Sequence, residues 1–148
     1  MRLQGVAEHL PALVDAQLRS ESGLSRYEYL VLDMLAETPG GTRLMSELAA
    51  VTNGSLSRLS HAASRLEQNG WITRAPVENN RRATAATLTQ AGWDKLAASA
   101  PGHVETVQSV LFDHLSPEQL TALSRALIPI ATALGVPEID EETGTCPG

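Results

Sequence analysis

The stretch that most limits how this chain can fold runs from Asn53 to Arg82, an amphipathic helix followed at once by a hairpin. Leu56, Leu59, Ala63 and Leu66 recur at the spacing of one buried helical face, and they predict a helix over residues 55–69. The opposite face carries Ser55, Ser57, Arg58, His61, Ser64 and Arg65. Asn53 can cap its start, and Asn69-Gly70 can end it, since both tolerate a left-handed conformation. Trp71-Ile72-Thr73-Arg74 reads as a strand, residues 77–82 as a polar turn, and residues 83–88 as a return strand. A short-chained, cationic helix face beside a hairpin tipped with Arg81 and Arg82 suits a reader of DNA grooves.

The charge distribution bears on that reading. The chain has a net charge of −6, which disfavours indiscriminate binding to polyanions. Residues 41–92 nevertheless hold six arginines against three glutamates, a local +3, so the remainder carries −9. Phosphate attraction depends on the local patch.

The elements around this stretch follow from their own patterns. Val6, Leu10, Leu13 (or Val14) and Leu18 form an apolar stripe over residues 3–18, with a kink or break expected at Pro11. Ser25 and Glu28 form a capping box for a helix that runs to about Glu37 and buries Tyr29, Leu32 and Leu35. Thr38-Pro39-Gly40-Gly41 stops it. Residues 42–44 suit a short strand, and residues 45–52 a short helix burying Leu48 and Val51. Two short helices, a turn at Asn53-Gly54 and a polar second helix make a helix-turn-helix. Thr89 can cap a helix over residues 90–114, kinked or split at Pro101-Gly102. Ser116-Pro117-Glu118-Gln119 is a second capping box. The helix after it carries Leu120, Leu123, Leu127, Ile130 and Leu134, is bent by Pro129, and ends near Gly135.

The fold class is therefore mainly α: a winged helix-turn-helix with a small antiparallel β-wing, flanked by terminal helices. Residues 23–92 are expected to form the module, 1–22 and 93–136 the flanking helices, and 137–148 an acidic tail, expected to be mobile unless something holds it. The terminal helices are too apolar for the module to cover, which predicts a homodimer built from both ends. No apolar run reaches a membrane span and no signal-peptide pattern opens the chain. With Cys146 as the sole cysteine, a cytoplasmic protein is expected.

The ordered motifs resemble the MarR family of bacterial winged-helix regulators. They are Gly23-Leu24-Ser25 with Tyr29 and Leu32, Met45-Ser46-Glu47-Leu48-Ala49, Arg65-Leu66-Glu67 and Gly70-Trp71-Ile72. Arg81-Arg82, residues 88–92 and residues 115–120 complete the set, over roughly residues 5–135. The resemblance implies an obligate homodimer with a terminal-helix dimerisation domain on a palindromic operator in double-stranded DNA. Family wings usually have an aspartate before the paired arginines; here the position is Asn80, which accepts a hydrogen bond without charge.

The expected mechanism places two reading helices in successive major grooves about 34–36 Å apart. Ser55, Ser57, Arg58 and His61 are the candidate base readers, and Arg65, Arg43 and Ser46 the candidate phosphate contacts. Arg81 or Arg82, next to Asn80, reaches an adjacent minor groove. Repression follows from occluding polymerase. A small effector, aromatic or phenolic by the resemblance, binds between the dimer helices and the module. No phosphate-binding glycine loop, nucleophile elbow or metal motif is present, so neither an enzyme nor a cofactor is expected. The four histidines do not pair at ligand spacing, and Cys146 has no partner for a redox switch. Trp71 and Trp93 are expected to pack; of Tyr27 and Tyr29, one is expected in the core and the other at a ligand crevice. The alternative class is a dimeric protein-interaction module on a winged-helix scaffold without DNA binding, which has no use for the arginine face.

Overall fold

Residues 1–78 and 80–136 are described by the computed structural model, Arg81 by its backbone alone. The expected acidic tail and Cys146 lie outside the described residues. The elements in order are α1 (Arg2–Ser22), α2 (Arg26–Ala36), β1 (Thr42–Leu44), α3 (Met45–Val51), α4 (Leu56–Gln68), β2 (Ile72–Val77), β3 (Asn80–Leu88), α5 (Gln90–Val110) and α6 (Pro117–Ala133). Single 3₁₀ turns at Pro39–Gly41 and Phe112–His114 precede β1 and α6.

Two compact units divide the described chain. One holds Met1–Arg26 with Ala98–Val136, and the other Tyr27–Ala97. In the second unit, the sheet has the order β1-β3-β2 and is antiparallel throughout, with Arg43 opposite Ala86 and Arg74 opposite the same residue from the other side. The central strand thus has partners on both edges. Pro76 lies on edge strand β2, where its missing N–H leaves no ladder bond unmade in the sheet interior. Leu32, Leu35, Leu48, Leu59, Leu66 and Ile72 are fully buried and form the core of this unit. Tyr29, like Tyr27, is buried, so neither tyrosine is left for an open crevice.

In the first unit, α1 runs through Pro11 without a break, and α5 through Pro101. Of the expected kink or break, the break does not form at either proline: each loses its own N–H bond and crowds the carbonyl four residues before it, yet the helix continues on both sides. α5 does stop early, at Val110, where the chain tightens into a 3₁₀ turn. At Gly102 of α5 the side-chain ends of Gln17 and Glu21 from α1 occupy the space that a Cβ would take. Val14 and Leu18 are the buried residues of the α1 stripe, and Leu13 is exposed. α6 opens on the expected capping box. Ser116 Oγ accepts from the Gln119 N–H, and the Ser116 N–H donates to Gln119 Oε1 at 2.8 Å. Yet α6 buries none of its residues: Leu120, Leu123, Leu127, Ile128 and Ile130 are all exposed. Val6, Leu10, Leu13, Val110 and Leu111 line an open apolar groove of about 240 Å³ on the same unit.

Candidate nucleic-acid interface

The helix-turn-helix is built by α3, a tight turn and α4. Thr52 closes α3: its hydroxyl donates to the Leu48 carbonyl at 2.7 Å. Asn53 then takes a left-handed conformation, φ 48°, and the Gly54 N–H returns to the Ala49 carbonyl at 3.0 Å. Asn53 is therefore in the turn and does not cap α4. Ser55 is the cap, in extended backbone, with Oγ accepting from the Arg58 N–H at 3.2 Å. A candidate base reader is thus committed to holding the helix end.

α4 buries Leu59, Ala62, Ala63 and Leu66. Leu56, expected on that face, is 58% exposed, because it stands in the first turn before the helix meets the core. The outer face presents Ser57, Arg58 and His61 to solvent. Ser46 is exposed in the first turn of α3.

The six arginines of this region are not equivalent. Arg43 is a correction: on β1 it is 5% exposed, so it belongs to the interior and not to a phosphate-facing surface. Side chains alternate along β1, and its register puts Arg43 on the inner face and Thr42 on the outer one. Arg74 is held by Glu67, with Nη2 at 2.7 Å and Nε at 3.1 Å, and it also donates to Ser64 Oγ at 3.2 Å. The Arg74 hydrogen bonds lower the Glu67 carboxyl below its usual range. Arg65 Nε sits 3.0 Å from Glu28 Oε1; the Glu28 side chain is buried while that of Arg65 is more than half exposed. Arg65 is therefore anchored at one edge of its fork and open at the other. Arg58 lies face-on over Tyr27, with Cζ 4.1 Å from the ring centroid. Counting charges overstates the positive patch: three of the six arginines are buried or ion-paired, while Arg58 and Arg82 are exposed.

The wing is tighter than its sequence pattern. Val77 pairs with Asn80, after a register shift at Pro76/Val77, so β3 begins at Asn80. Asn80, Arg81 and Arg82 accordingly lie on the return strand and not in the turn. Asn80 Oδ1 accepts the Arg82 backbone N–H at 3.2 Å, a local side-chain-to-backbone bond that braces the strand start. Arg82 is exposed.

The residues that hold these side chains carry no local sequence signal. Tyr27 stands 31 positions before Arg58 and Glu28 stands 37 before Arg65, and only the fold brings these side chains of α2 and α4 together. Trp71 takes Lys95 over its ring at 4.9 Å. Trp93 is 37% exposed, although its ring edge lies against Gly41. Among the described residues, no group of three or more His, Cys, Asp or Glu is arranged to hold a metal ion, and no helix is long and apolar enough to cross a membrane.

A family model described as MarR family matches residues 22–83. Over nearly the whole chain, the fold matches Sco3205, a MarR family transcriptional regulator from Streptomyces coelicolor solved in complex with DNA. The TM-score is 0.87 and the identity 38%, over 90% of this chain and 86% of that one. This chain belongs to the MarR family. A second MarR regulator from Streptomyces coelicolor, AbsC, matches with a TM-score of 0.85 and 37% identity over 90% of this chain and 89% of that one. The transcriptional regulator PecS of Dickeya dadantii (strain 3937) is 38% identical over 72 residues, 49% of this chain. That match spans 42% of PecS, so the chain covers less than half the length of this relative. Set in the MarR fold, α3 and α4 are the helix-turn-helix, and β2 and β3 are the wing.

Proposed function

We propose that this MarR family member is a sequence-specific regulator that binds a palindromic operator in double-stranded DNA as a homodimer. The observation that carries it is the outer face of α4. It offers Ser57, Arg58 and His61 outward while every large apolar residue past its first turn is buried. Short polar side chains let the helix backbone sit deep in a major groove, and an arginine fork matches guanine O6 and N7. Arg65 and Ser46 then face phosphate, and Arg82 with its neighbour Arg81 enters the adjacent minor groove. The uncovered apolar faces of α1 and α6 support pairing with a second copy, which sets two reading helices one DNA turn apart. A repressor in the cytoplasm acts by occluding polymerase; a small effector releases it by shifting the spacing of the reading helices. Selection of bound duplexes from a random pool tests this reading: a palindromic consensus is expected, and a pool without enrichment refutes it.

A further inference from the structure

Tyr27 is held on three sides. Its hydroxyl lies 2.9 Å from Thr52 Oγ1. Thr52 Oγ1 is itself held at the end of α3, 2.7 Å from the Leu48 carbonyl oxygen and 3.3 Å from that of Ala49. Gly54 closes the second side. A Cβ there would lie 2.1 Å from Tyr27 Oη and 2.9 Å from Cζ, so the turn of the helix-turn-helix is shaped around the phenol. The third side is the ring face, on which the Arg58 guanidinium rests at 4.1 Å. Tyr27 as a whole is 6% exposed.

We propose that Tyr27 is a positioning residue for sequence discrimination: without touching DNA, it fixes the plane in which Arg58 offers its fork to a base edge. Bidentate recognition of guanine needs both donors aligned at once, and an arginine loses rotamer freedom to achieve that. A stack formed before DNA arrives removes part of that entropic cost from the correct complex. It gives no comparable gain where the fork has no matching base edge. The same ring reports on the turn, because Thr52 and Gly54 set where it stands. The inference rests on the reading that α4 enters a major groove.

The test uses the full-length protein and the duplex selected from the random pool, a single-base mismatch series and a random duplex, compared by fluorescence anisotropy competition. Tyr27→Leu removes the ring; Gly54→Ala leaves the ring but drives a methyl group into it; Tyr27→Phe keeps the face. Tyr27→Leu and Gly54→Ala should each lose about two- to fivefold of discrimination at one symmetry-related base position per half-site. Affinity for the random duplex should fall by less than that loss. Tyr27→Phe should retain most of the discrimination. In an Arg58→Ala background, none of the three should cost anything further at that position. If Tyr27→Leu does not fold, Gly54→Ala carries the comparison, since it removes no side chain from the core and displaces only the ring. An equal loss for every sequence overturns the inference, as does an unchanged or sharpened mismatch profile, or a loss that persists without Arg58. Wild-type protein that binds no duplex at all overturns the DNA-binding reading first; intact binding with an unaltered profile overturns only the role of Tyr27.

Discussion

Gly92→Ala should destabilise this protein, although alanine in a helix normally outperforms glycine by about 0.5–1 kcal/mol. Gly92 lies in the first turn of α5. A Cβ built there would stand 2.0 Å from the Trp71 carbonyl oxygen and 2.9 Å from Leu88 Cδ2. The nearest atom is backbone, so it cannot swing aside as a side chain does. Opening the contact to the 3.0 Å that real Cβ atoms respect requires the start of α5 and Trp71 to separate by about 1 Å. That carbonyl also accepts the Thr89 N–H at 3.1 Å, and Thr89 ties the same corner by donating to the Gly70 carbonyl at 2.6 Å. Overpacking of this kind costs about 1–3 kcal/mol, and each weakened hydrogen bond adds about 0.5–1.5 kcal/mol. Against the propensity gain, the net loss should be about 2–3 kcal/mol. Urea unfolding followed by circular dichroism, at equal protomer concentration, measures it as a lower midpoint with unchanged slope. A variant as stable as wild type refutes the reasoning, because it would mean that the corner yields at no cost.

Arg65→Ala should lower stability by about 1–2 kcal/mol, discounted for the exposure of the guanidinium, because it leaves the buried Glu28 carboxylate without this ion pair; thermal denaturation checks it, and an unchanged midpoint counts against an anchoring role. Changing both Arg81 and Arg82 to Ala should reduce the log–log salt slope of operator binding by about 0.9 for each phosphate that is no longer neutralised, measured by anisotropy titration. The Glu67 carboxyl is lowered in the folded protein, chiefly by its side-chain hydrogen bond with Arg74, so its contribution is complete above about pH 4.3 and fades as pH falls through the folded value. Arg74→Ala should therefore narrow the gap in urea midpoint between neutral and acid pH, and a gap equal to wild type defeats the assignment. Placing glutamates at Leu123 and Leu127, both exposed on α6, should yield monomers by light scattering at concentrations where the wild-type protein is dimeric.

Sequence alone determined the elements whose signals are local. The three-and-four spacing of Leu59, Ala63 and Leu66 marks α4, Ser116 with Gln119 marks the start of α6, and the strand at residues 42–44 follows from its place between a glycine stop and α3. The arginine-bearing outer face of α4 was legible too, because helical periodicity assigns faces without knowledge of what covers them. Tertiary structure decided everything that depends on which distant groups meet. It turned Arg43 inward, tied Arg74 to Glu67 and Arg65 to Glu28, and placed Arg58 on Tyr27, so that a count of positive charge became a set of individually held side chains. It also moved the cap of α4 from Asn53 to Ser55, since the turn needed a left-handed residue one step before Gly54. Pro11 and Pro101 marked sites of weakness, but whether a helix breaks there depends on what packs along its length. Periodicity specifies which side of an element faces inward; the partner across the interface, and so the direction of each charged group, exists only once the chain has folded.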